Sequence, residues 1–261
     1  MNLSLVGKTA LVSGSSQGIG KAIAIELSLL GATCILLSRN SAALEKAVSE
    51  LSHDAGQRHQ YYSIDFTNLT ELEGLIQSIT QKTDIDILIN NTGGPTPGLI
   101  LDAGLVEFET AFKQHVLCNQ LLVQHVVPAM KKNGFGRIIN IISTSVRIPL
   151  DNLGVSNTIR AAVASWSKTM SNELAPFGIT VNSLLPGFID TSRLDEVITH
   201  FAANAKVDKS QMHQRMVSSV PTKRFGAPVE IAAVAAFLAS PAASYVNGIS
   251  MPVDGGRTGT I

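Results

Sequence analysis

The sequence predicts one α/β domain built on a doubly wound parallel sheet of about seven strands, with helices on both faces. Three observations predict it. Short apolar runs alternate with longer segments of helical period, the pattern of repeated strand–helix–strand units. The 261 residues, 45% of them hydrophobic, suffice to bury a full core. No repeat, linker or low-complexity stretch divides residues 1–261.

The elements follow in order. The strand TALVS leads through a glycine-rich turn into the helical segment IGKAIAIELSLLG, and TCILLS is a second strand before the helix SAALEKAVSELSHD. YYSID, a helix over about 69–80 and the strand ILIN ending at Asn90 come next. A long helix is expected from about Leu105 to Lys132, leading into RIINIIS. A helix from about Asn157 to Leu174 precedes TVNSLLPG, and one from about Val229 to Ala239 precedes ISMPVDGG. Residues 190–220 are polar and weakly periodic, with His200, Lys206, Lys209, His213 and Arg215. They read as a helical substrate flap over a site and not as part of a second core.

Charge and cysteine content narrow the partners. Twenty basic and twenty acidic residues cancel, so no electrostatic excess points to nucleic acid or an anionic membrane, and a small-molecule substrate fits better. Cys34 and Cys118 sit in apolar surroundings without metal-ligand spacing and read as reduced core residues. The apolar start of the chain is broken at Lys8, and the stretch IAAVAAFLASPAASYV is interrupted by Ser240 and Pro241. Neither reads as a signal peptide or a membrane span, so the cytoplasm is the expected location.

The first strand runs directly into GSSQGIG, which places Gly14, Gly18 and Gly20, with Ser16, Gln17 and Ile19 between them, at a strand-to-helix turn. Glycine tolerates the dihedrals such a turn needs. Its missing side chain also lets a pyrophosphate approach backbone N–H groups at the positive end of the following helix. The spacing GxxxGxG, together with Asp65, Asn90-Asn91-Thr92-Gly93, Pro186-Gly187 with Thr191, and Val253-Asp254-Gly255-Gly256, resembles the short-chain dehydrogenase/reductase family along essentially the whole chain, most of all the β-ketoacyl carrier-protein reductase type. The resemblance implies a Rossmann-type fold. It also implies that Asp65 holds the adenine amine, that Asn91 and Gly93 line the cofactor site, and that Pro186, Gly187 and Thr191 stand at the nicotinamide end.

At the end of the second strand an acidic residue would accept hydrogen bonds from a free ribose 2′-hydroxyl and repel a phosphate. This chain has Ser38-Arg39-Asn40 there. Arginine pairs with phosphate in bidentate fashion, so NADP(H) is favoured over NAD(H). The competing reading is that Arg39 begins a solvated helix face.

The family's chemistry, as the resemblance implies it, uses an asparagine, a serine, a tyrosine and a lysine. Counted from GRIINIIS, the serine is present as Ser143. The tyrosine position is Ser156, the lysine position Arg160, and the asparagine position His115. No shift restores the phenol, because no tyrosine occurs between Tyr62 and Tyr245. A serine hydroxyl stops several ångströms short of a phenol's and has far too high a pKa to be tuned to neutrality, so Ser156 reads as an N-cap for a helix beginning at Asn157. Arg160 keeps its charge but cannot relay a proton; it reads as a binder of cofactor or of an acidic substrate. His115 alone has a pKa suited to acid–base work, against the alternative of a hydrogen-bonded core histidine.

These residues read as an atypical NADP(H)-dependent oxidoreductase that interconverts a carbonyl and an alcohol on a small molecule. Ser143 polarises the carbonyl, Arg160 binds, and the proton comes from His115, water or the substrate. The other readings are a nucleotide-binding protein without turnover and a non-redox reaction on the same fold. The resemblance further implies a homotetramer or homodimer.

Overall fold

The computed structural model describes residues 1–260. Seven parallel strands form one sheet: β1 (Thr9–Ser13), β2 (Thr33–Ser38), β3 (Gln60–Ser63), β4 (Ile87–Asn90), β5 (Gly136–Ile141), β6 (Ile179–Pro186) and β7 (Ser250–Val253). Their order is β3-β2-β1-β4-β5-β6-β7, so the chain winds outward in both directions from the β1/β4 junction. Both the doubly wound sheet and the count of strands agree with the sequence reading.

Nine α-helices cover it among the described residues: α1 (Gly18–Leu29), α2 (Ser41–Ser49), α3 (Leu69–Thr80), α4 (Leu105–Phe112), α5 (Cys118–Asn133), α6 (Gly154–Leu174), α7 (Ser192–Ala205), α8 (Lys209–Ser218) and α9 (Pro228–Ala239). The two-residue period of the strands sorts their side chains into two cores. Val12, Leu36 and Ile89 point one way and pack with Ile23 and Leu27 of α1, Leu44 of α2 and Ile231 of α9. Leu11, Leu37 and Leu88 point the other way and pack with Leu72 and Ile76 of α3 and Leu122 and Val126 of α5. Four alanines of α9, Ala232, Ala235, Ala236 and Ala239, are buried in the first of these cores.

Three local expectations are corrected. The long helix over 105–132 is two helices joined by a π-turn at Lys113–Leu117, and that turn carries His115. The helix expected from Asn157 begins at Gly154 with Leu153 as its N-cap, so Ser156 lies inside the first turn and is not the cap. Residues 190–220 hold two helices with an apolar cluster of their own, in which Leu194, Ile198 and Met216 pack with Phe188 and Phe225. The polar surface of that segment masked this cluster.

Cys34 and Cys118 are free and buried. Among the described residues no helix is long and apolar enough to cross a membrane, and no group of His, Cys, Asp or Glu is placed to hold a metal ion.

Candidate active site

Because strand order reverses between β1 and β4, the loops at the carboxyl ends of the strands part there and leave a crevice. It is a cavity of about 480 Å³ running from Arg39 past the glycine turn to Ser143, Ser156 and Arg160.

The glycine turn is built by exclusion of side chains. Gly14 has φ +60°, and a Cβ on it would lie 2.2 Å from the Asn91 carbonyl oxygen. A Cβ on Gly20 would lie 2.2 Å from the Gly14 oxygen, so Gly20 packs α1 against the turn and does not reach the cavity. Asn91 pins the arrangement, its Nδ2 donating to the Gly14 oxygen at 3.0 Å and its backbone N–H to Ser13 Oγ at 3.0 Å. The N-terminus of α1 has no side-chain cap and no acidic residue in its first turn. Its unpaired N–H groups face the cavity beside Ser16, Gln17, Gly18 and Ile19. This cradle fits the pyrophosphate of a dinucleotide, since it offers donors and positive dipole where a side chain would stand.

Arg39 lines the other end of the cavity and, among the described residues, makes no ion pair. Ser16 and Ser38 share a hydroxyl hydrogen bond of 2.8 Å beside it. Asp65 lies next to this end of the cavity, one residue before its wall. Its Oδ1 accepts from Thr67 N at 2.9 Å and Thr67 Oγ1 at 2.8 Å, bonds that hold the carboxylate below its usual range, and it stands outside the cavity wall. The wall there is Phe66, one residue on, which sequence reading passed over as a core residue.

At the nicotinamide end, Thr191 caps α7 through a bond from Leu194 N at 3.3 Å, and Pro186 and Gly187 line the cavity at the end of β6. A Cβ on Gly187 would press 2.6 Å from that of Asp254, which accounts for the glycine. Gln17 Nε2 donates to Ser192 Oγ at 3.3 Å and ties the glycine turn to α7.

Ser143 caps the short 3₁₀ turn Thr144–Val146, its Oγ accepting from Ser145 N at 3.1 Å. Its O–H is thereby left to donate into the cavity. Ser156 also lines the cavity. Arg160, 9% exposed, donates to the Ile141 carbonyl at 2.8 Å and the Thr92 carbonyl at 3.4 Å. Burial, and secondly the charge of Arg193, push its guanidinium down to about 10, so it remains a cation at neutral pH.

His115 is not in the cavity wall. Its Nδ1 is 2.6 Å from Thr92 Oγ1, and its Nε2 has no partner among the described residues. Burial first and Arg160 second hold the imidazole well below its usual range, against a weaker opposing pull from the Gly93 backbone. It is buried behind the site, with a weakened hold on its proton. Sequence reading also missed Arg193, which lines the cavity from α7; nothing in its local sequence distinguishes it from a solvated helix arginine.

Comparison with known proteins agrees with this geometry. The sequence model of the family described as Enoyl-(Acyl carrier protein) reductase matches residues 14–258. The chain is 34% identical to the NADPH-dependent reductase BacG of Bacillus subtilis (strain 168), across 97% of this chain and 99% of that protein. It is 35% identical to the 7alpha-hydroxysteroid dehydrogenase of Escherichia coli (strain K12), across 98% and 96% respectively. The crystal structure of L-sorbose reductase from Gluconobacter frateurii, complexed with NADPH and L-sorbose, matches with a TM-score of 0.92 at 30% identity, covering 100% of both chains. A glycine turn at the sheet's reversal point and likeness from end to end converge on one conclusion: the chain belongs to the short-chain dehydrogenase/reductase family.

Proposed function

We propose that this chain is an NADP(H)-dependent oxidoreductase that interconverts a carbonyl and an alcohol on a small molecule, with an active site that dispenses with the tyrosine and lysine. One observation carries the reading: a single cavity has an anion-ready glycine turn and Arg39 at one end and a donating Ser143 at the other. The names of relatives support the cofactor, since BacG is NADPH-dependent and the sorbose reductase crystal holds NADPH.

When bound, the dinucleotide supplies a hydride to the carbonyl carbon or accepts one from the alcohol. The glycine turn and the open end of α1 hold its pyrophosphate, and Arg39 pairs with its 2′-phosphate. Thr191 and Gly187 close the nicotinamide end, while α7 and α8 act as the substrate flap. Ser143 donates to the substrate oxygen and polarises it. Arg160 is a permanent cation in the wall that steadies negative charge as it develops on that oxygen. No phenol, imidazole or lysine lines the cavity among the described residues, so the proton passes to or from water. His115 positions Thr92, and through it the loop that holds Arg160. The functional unit is a homodimer or homotetramer, for which the exposed Leu105, Val106 and Phe112 of α4 offer an apolar contact.

Titration with NADPH and then NADH, followed by calorimetry, tests the reading. NADPH should bind about tenfold or more tighter than NADH, and Arg39→Ala should erase most of that preference. Binding of neither nucleotide would sink it.

A further inference from the structure

The charges of the cavity are unbalanced. Its ionised side chains are Arg39, Arg160 and Arg193, with no carboxylate among the described residues that line it. Arg39 stands at the end where a 2′-phosphate would lie, and the pyrophosphate has the glycine turn, which leaves the other two arginines without a counter-charge among the residues that line the cavity.

Arg160 is the more telling of the two. A buried guanidinium is costly unless it is paired. Here its two hydrogen bonds go to backbone carbonyls, of Ile141 and Thr92, and among the described residues no carboxylate lies within ion-pair distance. Five N–H donors minus these bonds leave several unmet.

Arg193 approaches it from the flap. Both guanidinium groups converge on Gly94, where a Cβ would sit 3.6 Å from Arg160 Nη2 and 3.6 Å from Arg193 Nη2. Arg193 Nη2 donates to the Pro95 carbonyl, and Nη1 pairs with Glu196 at 3.1 Å. The Glu196 side chain is 67% exposed, so this is a solvated pair that does not neutralise the arginine within the cleft. The loop between them is braced, since Gly98 N donates to the Asn152 carbonyl and Gly154 N to the Gly98 carbonyl. Two cations held together over a glycine, one of them buried, form an anion seat in the same cavity as Ser143.

We propose that Arg160 and Arg193 together bind a carboxylate of the substrate, which makes the substrate a small oxo acid and the product the matching hydroxy acid; this rests on the carbonyl–alcohol reading above. In the reducing direction a hydride passes from the reduced nicotinamide to the carbonyl carbon and a proton passes from water to its oxygen. The nicotinamide is left oxidised and the carboxylate is unchanged. Because Arg193 belongs to α7, an arriving carboxylate also draws the flap onto the site.

The test is calorimetric titration of pyruvate, acetoacetate and laevulinate, each beside its methyl ester, into protein saturated with NADP+. At least one acid should bind about tenfold or more tighter than its ester. Arg193→Gln should remove most of that difference while leaving NADP+ affinity unchanged, and Arg160→Met, checked for folding by thermal unfolding, should also remove the preference for acid over ester. The proposal is overturned if no acid outbinds its ester. It is equally overturned if Arg193→Gln weakens NADP+ as much as the acid, because the pair would then serve the cofactor's phosphates. Repeating the titrations without dinucleotide separates the two readings. An acid preference in a protein that binds no NADP+ would sink the oxidoreductase reading alone, whereas NADP+ binding without acid preference would sink the anion seat alone.

Discussion

At Gly14 one added methyl group has a large consequence. Its positive φ already disfavours a side chain, and the Asn91 carbonyl occupies the space a Cβ would need. Gly14→Ala should lower stability by about 2–4 kcal/mol in urea unfolding and abolish NADPH binding, because the turn and the Asn91 bonds must shift together. His115 carries a second prediction. Its imidazole is held neutral in the fold by burial, with Arg160 next, so its folded pKa lies well below the unfolded one. The unfolded chain therefore binds more protons once pH drops below about 6.5, and stability is lost as pH falls; above that pH the contribution is complete. His59 is also lowered, by burial first, and adds to the same slope. Unfolding measured from about pH 8 to 5 should show a loss of up to about 1.4 kcal/mol per pH unit from His115, with only a small, solvent-screened addition from the half-exposed His59, and His115→Asn should remove the larger share.

Among the elements, the flap and the sheet differ in how they are held. α8 buries only Met216 of its ten residues, and α7 rests on the small cluster around Leu194 and Ile198. β5 and β6, in contrast, are buried along their whole length. Hydrogen exchange should be fastest in α8, intermediate in α7 and slowest in β5 and β6. NADPH should slow exchange at residues 191–194, where Thr191 caps α7 and Ser192 meets Gln17. Equal protection of flap and sheet, or no change on adding NADPH, would refute this. The π-turn at Lys113–Leu117 belongs to this scale as well. It inserts an extra residue into what periodicity reads as one helix, and it turns His115 inward against Thr92.

For the molecule as a whole, assembly is the open physical question that its surface poses. Leu105 is 81% exposed and Phe112 40% exposed, seven residues apart and so on one face of α4. The homodimer or homotetramer we propose would cover apolar side chains in that arrangement. Sedimentation velocity should therefore report more than one copy per particle, and Leu105→Glu with Phe112→Glu should shift it to a folded monomer, since neither residue is in the core, with thermal stability lowered only by the lost association. A parent protein that sediments as a monomer would remove this contact.

The sequence by itself determined the sheet, its seven strands, the glycine turn and which residues stand at the counted positions, Ser143, Ser156 and Arg160. Each of these is local: a period of two, a period near 3.6, a run of glycines, or the identity of one residue at a counted position. What only the tertiary structure decided are the relations between distant segments. Asp65 accepts from Thr67, Ser156 sits inside the first turn of its helix, and His115 is buried behind the site, none of which periodicity encodes. Arg160 and Arg193 lie thirty-three positions apart in sequence. Only the winding of the chain past the β1/β4 junction brings both to Gly94, and charge placed together in that way is a property of the fold.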